Sequence, residues 1–195
     1  MKIAGSTIES ASVGDPACFP TWAELEEGLA ALPAAPRDEG AVRLLLRRGR
    51  GGRREYPERV QLDVRAGVPG DKWSRRARSS TDSQLAVMQH DLAVLIAHGQ
   101  SLGLFGDNLF LELDLSRDNL PTGSRLQVGG AVLEVTPLPH DGCRKFRSRF
   151  GEAALRFTAD PARRHRNLRG IYLRVVEPGE VAVGDVVRVV RRGGA

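Results

Sequence analysis

The sequence predicts a mostly β fold, a β-barrel-like closed sheet of mainly antiparallel strands with peripheral helices. Three observations carry that expectation. About seven short apolar segments, rich in Val, Leu and Ile, are each bounded by Gly, Pro, Asn or Asp turn signals. Two or three helical patterns are set between them instead of after every strand. No strand–helix–strand rhythm repeats, which argues against a parallel doubly wound sheet.

Taken in order, residues 1–40 read as an N-terminal helical arm packed on one main domain, residues 41–195. Within the arm, "TWAELEEGLAAL" (21–32) places Thr21 and Glu24 in capping-box spacing and Trp22, Leu25, Leu29 and Leu32 on one face. "PAAPRDEG" ends that helix. "AVRLLLRRG" and "REYPERVQLDV" predict two strands joined by an Arg/Gly turn, and "RAGVPGDKWSRR" is turn-rich. "TDSQLAVMQHDLAVLIAHG" (81–99) predicts a single long helix, capped by Asp82 or Ser83 and ended by Gly99. Its apolar stripe is Leu85, Met88, Leu92 and Leu95 or Ile96.

"GDNLFLELDLS" alternates, with Leu109, Leu111, Leu113 and Leu115 on one face, and predicts a half-buried strand. "NLPTGSRLQVGGAVLEVTPL" predicts a glycine hairpin. "CRKFRSRFGEAALRF" predicts a helix carrying Phe146, Phe150 and Leu155. "GIYLRVVEPGEVAVGDVVRVV" gives two or three closing strands.

The 195 residues suffice for one buried core. At 41% hydrophobic and 27% charged, the composition is that of a folded chain. "LAVLIA" (92–97) is too short to cross a bilayer, and "MKIAGSTIES" lacks a signal-peptide core, so the expectation is a cytoplasmic protein with no membrane partner. Two cysteines make neither a disulfide framework nor a metal finger. The net charge of +5, carried by arginine clusters such as "RRGRGGRR" and "RRHRNLR", suits an anionic ligand. Aromatic residues are 5% of the chain and only Tyr56 lies near the first cluster, so base-stacking platforms for nucleic acid are poorly provided.

Cys143 stands out in "PHDGCRKFRSRF", beside Arg144, Lys145, Arg147 and Arg149. The thiolate is the useful form of cysteine as nucleophile, sulfur carrier or soft metal ligand. Basic neighbours and a following helix N-terminus favour that form. The competing reading is a small buried hydrophobe. Gly142 leaves room for close approach to the sulfur. His140, three residues earlier, suggests a zinc pair or a Cys–His dyad, but no second Cys/His pair at ligand spacing exists, and an exposed loop histidine is the expectation. Cys18, in "DPACFP", is read as packing or a free thiol. G-x-S-x-G, P-loop and G-x-G-x-x-G motifs are absent.

Four landmarks in order, namely "GVPGDKW", "GDNL", "LPTGSRLQVGGAVLEVT" and Cys143 followed by basic residues and Phe146, resemble the MOSC domain from about residue 60 to the end. That domain ends molybdenum cofactor sulfurases and also stands alone in bacteria. The resemblance implies a β-rich fold with one essential cysteine, here Cys143. It either ligates molybdenum or carries sulfur as a persulfide from a pyridoxal-phosphate-dependent desulfurase. Relatives that bind the metal include the mitochondrial amidoxime-reducing component and bacterial proteins that reduce N-hydroxylated bases.

The cofactor the resemblance implies, molybdopterin with its phosphate, is anionic and needs cationic and backbone donors. Arg144, Lys145 and Arg149 are placed near Cys143 to supply them. Gly70, Asp71, Lys72 and Asn108 match pocket-forming landmarks. Turn architecture is the competing reading for Asp71 and Asn108, and Gly70 reads as a backbone requirement. Three functions follow. The first is a molybdenum-cofactor protein reducing N-oxygenated small molecules, with electrons from redox partner proteins. The second is a persulfide carrier served by a cysteine desulfurase, with pyridoxal phosphate only on that partner. The third is a basic nucleic-acid-binding module. A β-barrel with exposed edges also allows a homodimer.

Overall fold

The glycine hairpin and the alternating leucines set the frame on which the rest is hung. The computed structural model describes residues 9–10, 13–77 and 79–194. Its strands are β1 (Glu9–Ser10), β2 (Glu39–Leu45), β3 (Arg47–Arg48), β4 (Arg53–Glu55), β5 (Arg59–Leu62), β6 (Leu85–Gln89), β7 (Leu109–Glu112), β8 (Arg125–Val128), β9 (Ala131–Val135), β10 (Ile171–Glu177), β11 (Gly179–Ala182) and β12 (Val186–Arg191). The helices are α1 (Trp22–Ala31), α2 (His90–Ala97) and α3 (Arg144–Ala159).

Seven strands close into a barrel in the order β10-β6-β7-β2-β12-β8-β9. Every pairing in it is antiparallel except β6 with β7. The mostly β, mainly antiparallel expectation therefore holds. Two small sheets, β1-β4-β3 and β11-β5, lie outside the ring.

Inward-facing side chains fill the barrel as sequence alternation dictates. Leu109 and Leu111 on β7 meet Leu85, Val87, Leu126, Leu133, Leu173 and Val187, and Leu113 and Leu115 extend the same row. A second apolar layer fills the space between the barrel wall and the helices. There Phe110 and Met88, pointing outward, pack with Leu25 and Leu29 of α1, Leu92 and Ile96 of α2, and Phe146, Phe150 and Phe157 of α3. The Thr21–Glu24 capping box forms as its spacing requires: Thr21 Oγ1 accepts from Glu24 N, and Glu24 Oε2 accepts from Thr21 N.

The single helix expected over 81–99 is not formed. Residues 85–89 are instead the strand β6, and the helix α2 begins only at His90. All five residues of β6 are buried because the strand is covered on both faces, with Leu85 and Val87 inside the barrel and Met88 under the helices. A strand so placed reads as a continuous apolar run, and its residues also fall on a helical stripe. The Arg/Gly turn is a hairpin tip, but between β3 and β4. The longer strands expected on either side go elsewhere, β2 into the barrel and β5 onto β11.

Candidate functional site

The cavity is built on the residues that precede and enter the strands. In the turn before β6, Asp71 N donates to Val68 O, and Gly70 takes φ +80°, which only glycine adopts without strain. The turn aims the Asp71 carboxylate inward, where its side chain is 2% exposed. Asp71 Oδ2 accepts from Arg48 N at 2.8 Å and Arg48 Nε at 2.9 Å, while Oδ1 accepts from Arg48 Nη2 at 2.5 Å and Trp73 N at 2.8 Å. Burial pushes the Asp71 pKa up, but the Arg48 guanidinium and the two backbone N–H donors outweigh it, and the net shift is downward. Asp71 thus fixes Arg48, and Arg48 is the member of the pair that lines the cavity.

Asn108 acts in the same supporting way. Its Oδ1 accepts from Ala86 N at 3.2 Å and Arg48 Nη2 at 3.3 Å, and its Nδ2 donates to Leu46 O at 3.2 Å. It ties β6 to the end of β2 and sits behind the cavity surface. The preceding residue, Asp107, is fully buried and reaches further in. Both its oxygens lie 3.0–3.1 Å from Arg169 Nη1, and Oδ1 is 3.5 Å from His140 Nδ1. The Arg169 guanidinium lies over the Phe146 and Phe105 rings, 5.0 and 5.7 Å from their centroids. Arg54 Nε donates to Gly103 O and Arg149 Nη1 to Leu104 O, which fixes two more cations in the wall.

These groups enclose a cavity of about 720 Å³, within the range of small-molecule sites. Among the described residues its lining holds Arg48, Arg50, Arg54, Arg75, Arg76, Arg149, Arg169, Lys72 and Lys145, against Asp107 and Asp141. The charges are close enough to act on one another. The Lys72 pKa is lowered first by Lys145, then by burial and by Arg76, Arg48 and Arg54. Burial, Arg149 and Arg48 lower that of Arg54. Cys143 lies on the rim, exposed, as the residue before α3, with its carbonyl accepting from Arg147 N.

Of the residues selected from the sequence, Cys143, Lys72, Lys145 and Arg149 line the one cavity. Asp71 and Asn108 stand behind it. Gly70 lines a neighbouring shallow groove with Arg47, Arg50 and Arg75. Arg144 is exposed and outside the lining. The space beside Gly142 is taken by Leu155, whose Cδ1 would lie 2.5 Å from an added Cβ.

His140 is not the exposed loop residue expected. Its side chain is 6% exposed, with its ring 4.2 Å from the Tyr172 ring and Nδ1 3.5 Å from Asp107. A loop position says nothing about burial when the loop crosses a barrel end. Arg48, Arg54 and Arg169 were marked only as members of basic clusters suited to an anionic ligand, and Asp107 and Tyr172 were not selected. Asp107 sat in the "GDNL" landmark and was recoverable, but nothing in an arginine run marks which member is buried.

The metal-binding chemistry on offer is that of a lone thiol. Among the described residues, no group of three or more His, Cys, Asp or Glu side chains is arranged to hold a metal ion. No helix among them is long and apolar enough to cross a membrane.

A family model for the MOSC domain matches residues 69–188 of the 195. The chain belongs to the MOSC domain family. Barrel strand β2, residues 39–45, lies outside the matched segment, so the MOSC barrel here draws on chain that precedes the match. Solved structures agree with the fold. The YuaD protein from Bacillus subtilis is 19% identical with a TM-score of 0.58, over 79% of this chain and 97% of that one. YiiM from Escherichia coli is 18% identical with a TM-score of 0.53, over 80% and 72%. YiiM from Geobacillus stearothermophilus is 18% identical with a TM-score of 0.51, over 82% and 77%. No curated protein matches this MOSC chain in sequence.

Proposed function

We propose that this MOSC protein binds molybdenum cofactor in the 720 Å³ cavity, with the Cys143 sulfur as the protein's ligand to the metal. The reaction we assign to it is reduction of N-hydroxylated small molecules, with electrons delivered by a separate redox partner protein. The observation that carries the reading is the pairing of an exposed thiol with nine cationic side chains, among the described residues, around one cavity. The residues fit the group. Arg48, Lys72, Lys145 and Arg149 would hold an anionic pterin bearing a phosphate, and the Cys143 sulfur would be the protein's ligand to its metal.

When bound, the cofactor supplies two-electron oxygen-atom chemistry. The chain's own residues do the rest. Asp71 holds Arg48 in place, Asp107 and two aromatic rings hold Arg169, and backbone carbonyls hold Arg54 and Arg149. These cations are therefore presented without the cost of ordering them on binding. The reading assigns Arg48, Arg50 and Arg54 of the basic tract to a small anionic ligand instead of nucleic acid.

The exposure of Cys143 at the rim favours one alternative. A thiol open to solvent is also within reach of a macromolecular sulfur donor, as carriage of a persulfide requires. Pyridoxal phosphate enters that scheme only on the partner desulfurase.

One experiment separates the two. Protein expressed with molybdate is assayed for molybdenum beside the Cys143→Ser variant. Near-stoichiometric metal in the wild type and little in the variant is the expected result. Metal absent from both, with one extra labile sulfur on the wild type by intact mass, would replace the proposal with sulfur carriage.

A further inference from the structure

Two buried polar atoms among the described residues have no hydrogen-bond partner, His140 Nδ1 and Arg169 Nε. They belong to side chains that meet at the same carboxylate, Asp107, at the base of the cavity. Leaving a buried donor or acceptor unmade costs about 1–3 kcal/mol each, so their convergence calls for an explanation. His140 has a second property. As a residue it contributes to the lining of both the cationic cavity and a separate cleft of about 400 Å³ walled by Leu120, Pro137 and Ile171, while its side chain is only 6% exposed.

We propose that His140 takes up a proton when an oxyanion occupies the cavity, and that this proton serves the reduction assigned above. The inference rests on that reading for its chemical purpose, and on geometry for the proton uptake. The groups facing the imidazole are Asp107, ahead of β7, Arg48 of β3, and Arg169 and Tyr172 around the start of β10. Without an anion, burial and then Arg169 and Arg48 hold the His140 pKa well below its ordinary value, and the ring is neutral. An anion lying among the arginines offsets their charge. The imidazolium then has the Asp107 carboxylate as its counter-charge 3.5 Å from Nδ1, a contact that a shift of about half an ångström would turn into a hydrogen bond.

Arginine cannot serve as the proton source, because the guanidinium does not deprotonate in proteins. Reducing an N-hydroxylated compound breaks the N–O bond, consumes two electrons from a reduced electron-carrier protein and two protons, and yields an N–H group and water. One of those protons, from His140, leaves with the departing oxygen as water. The imidazole regains its proton from solvent once the product leaves the cavity that His140 lines.

The test uses sulfate, which does not titrate between pH 5 and 8, on the purified protein. Protons taken up per sulfate bound are measured calorimetrically in two buffers of different ionisation enthalpy, for wild type, His140→Gln and Cys143→Ser. The His140 Cε1 resonance is followed through the same titration in the wild type, so the outcome does not depend on a buried variant folding. The expected result is proton uptake in wild type and Cys143→Ser, none in His140→Gln, and a His140 resonance that moves to the imidazolium position. Wild-type sulfate affinity is expected to rise by up to about tenfold per unit fall in pH between the free and bound pKa values of His140, as linkage requires.

An adventitious ion only, meaning sulfate bound without uptake, would overturn the proposal. So would uptake that persists in His140→Gln and is lost in Cys143→Ser, and so would no binding at all. None of these readouts needs molybdenum, so failure of the cofactor assignment shows separately, as absent metal.

Discussion

Replacing Asp71 by Asn keeps the shape of the turn and removes one charge from a buried pair. In the native protein the two carboxylate oxygens receive four donors, Arg48 N, Nε and Nη2 and Trp73 N. An amide offers one acceptor oxygen and turns two N–H donors toward the others. At least two charge-assisted hydrogen bonds are lost, each worth about 1.5–3 kcal/mol. Arg48, only 20% exposed, is left without its counter-ion. Breaking a buried pair costs about 3–5 kcal/mol, and the partial exposure of Arg48 puts the expectation near the lower end, about 3–4 kcal/mol.

For a chain of this length, at roughly 2–4 °C per kcal/mol, the thermal midpoint falls by about 6–16 °C, read by scanning calorimetry at pH 7. The effect also has a pH signature. The folded pKa of Asp71 lies below its unfolded value. Its stabilisation is therefore complete above the unfolded pKa, about 3.9, and is lost as pH falls through the folded pKa. Wild type and variant should converge in stability under acid. A variant melting within about 2 °C of wild type at pH 7, or a gap that does not close in acid, would refute the reasoning. Arg48→Met/Asp71→Asn should melt above Asp71→Asn, because it removes the unpaired cation while the amide oxygen still accepts from a backbone N–H.

Further outcomes follow from single positions. Gly170→Ala places a Cβ 2.1 Å from Val87 O at φ +89°. It should destabilise by about 2–4 kcal/mol in urea, and it should loosen Arg169, so sulfate binding weakens as well. Thr21→Ala removes the side-chain cap of α1 and should cost about 1 kcal/mol, with sulfate affinity unchanged. Leu109→Ala opens the fully buried barrel core at about 2–5 kcal/mol, and a loss below 1 kcal/mol by urea titration would mean that the barrel collapses around the gap.

Much of the barrel was readable because alternation survives where polar residues mark one face. Leu109, Leu111, Leu113 and Leu115 declared their side of the sheet against Glu112 and Asp114, although the expected half-buried strand is covered on its other face at Phe110. Gly129–Gly130 declared the hairpin between β8 and β9. The signal failed where both faces are covered. In "LAVMQ" every residue is buried, so strand and helix periodicities cannot be told apart. The site divides along similar lines. Cys143 and its lysine neighbour are local in sequence and were visible there. The cavity floor is assembled from residues up to 62 positions apart, as in Asp107 with Arg169, and no short window contains such a pair. Asp71 and Asn108 lay in visible motifs, but only the fold shows that they position Arg48 and do not themselves face the cavity.

A closed ring of strands has a consequence for how such a site changes over generations or in the laboratory. Asp107, Arg169 and His140 are anchored where the ring fixes its ends, so altering the floor disturbs the barrel that holds it. The β3–β4 tip is different. Arg50 lines the cavity from an exposed tip whose turn is set by Gly51 and Gly52 at φ +64° and +84°. Substitutions at Arg50 can reshape the mouth without touching the scaffold, provided the two glycines are kept. A library confined to Arg50 should therefore yield altered ligand preference at nearly constant thermal stability, whereas the same diversity spent on the floor should be lost to unfolded clones.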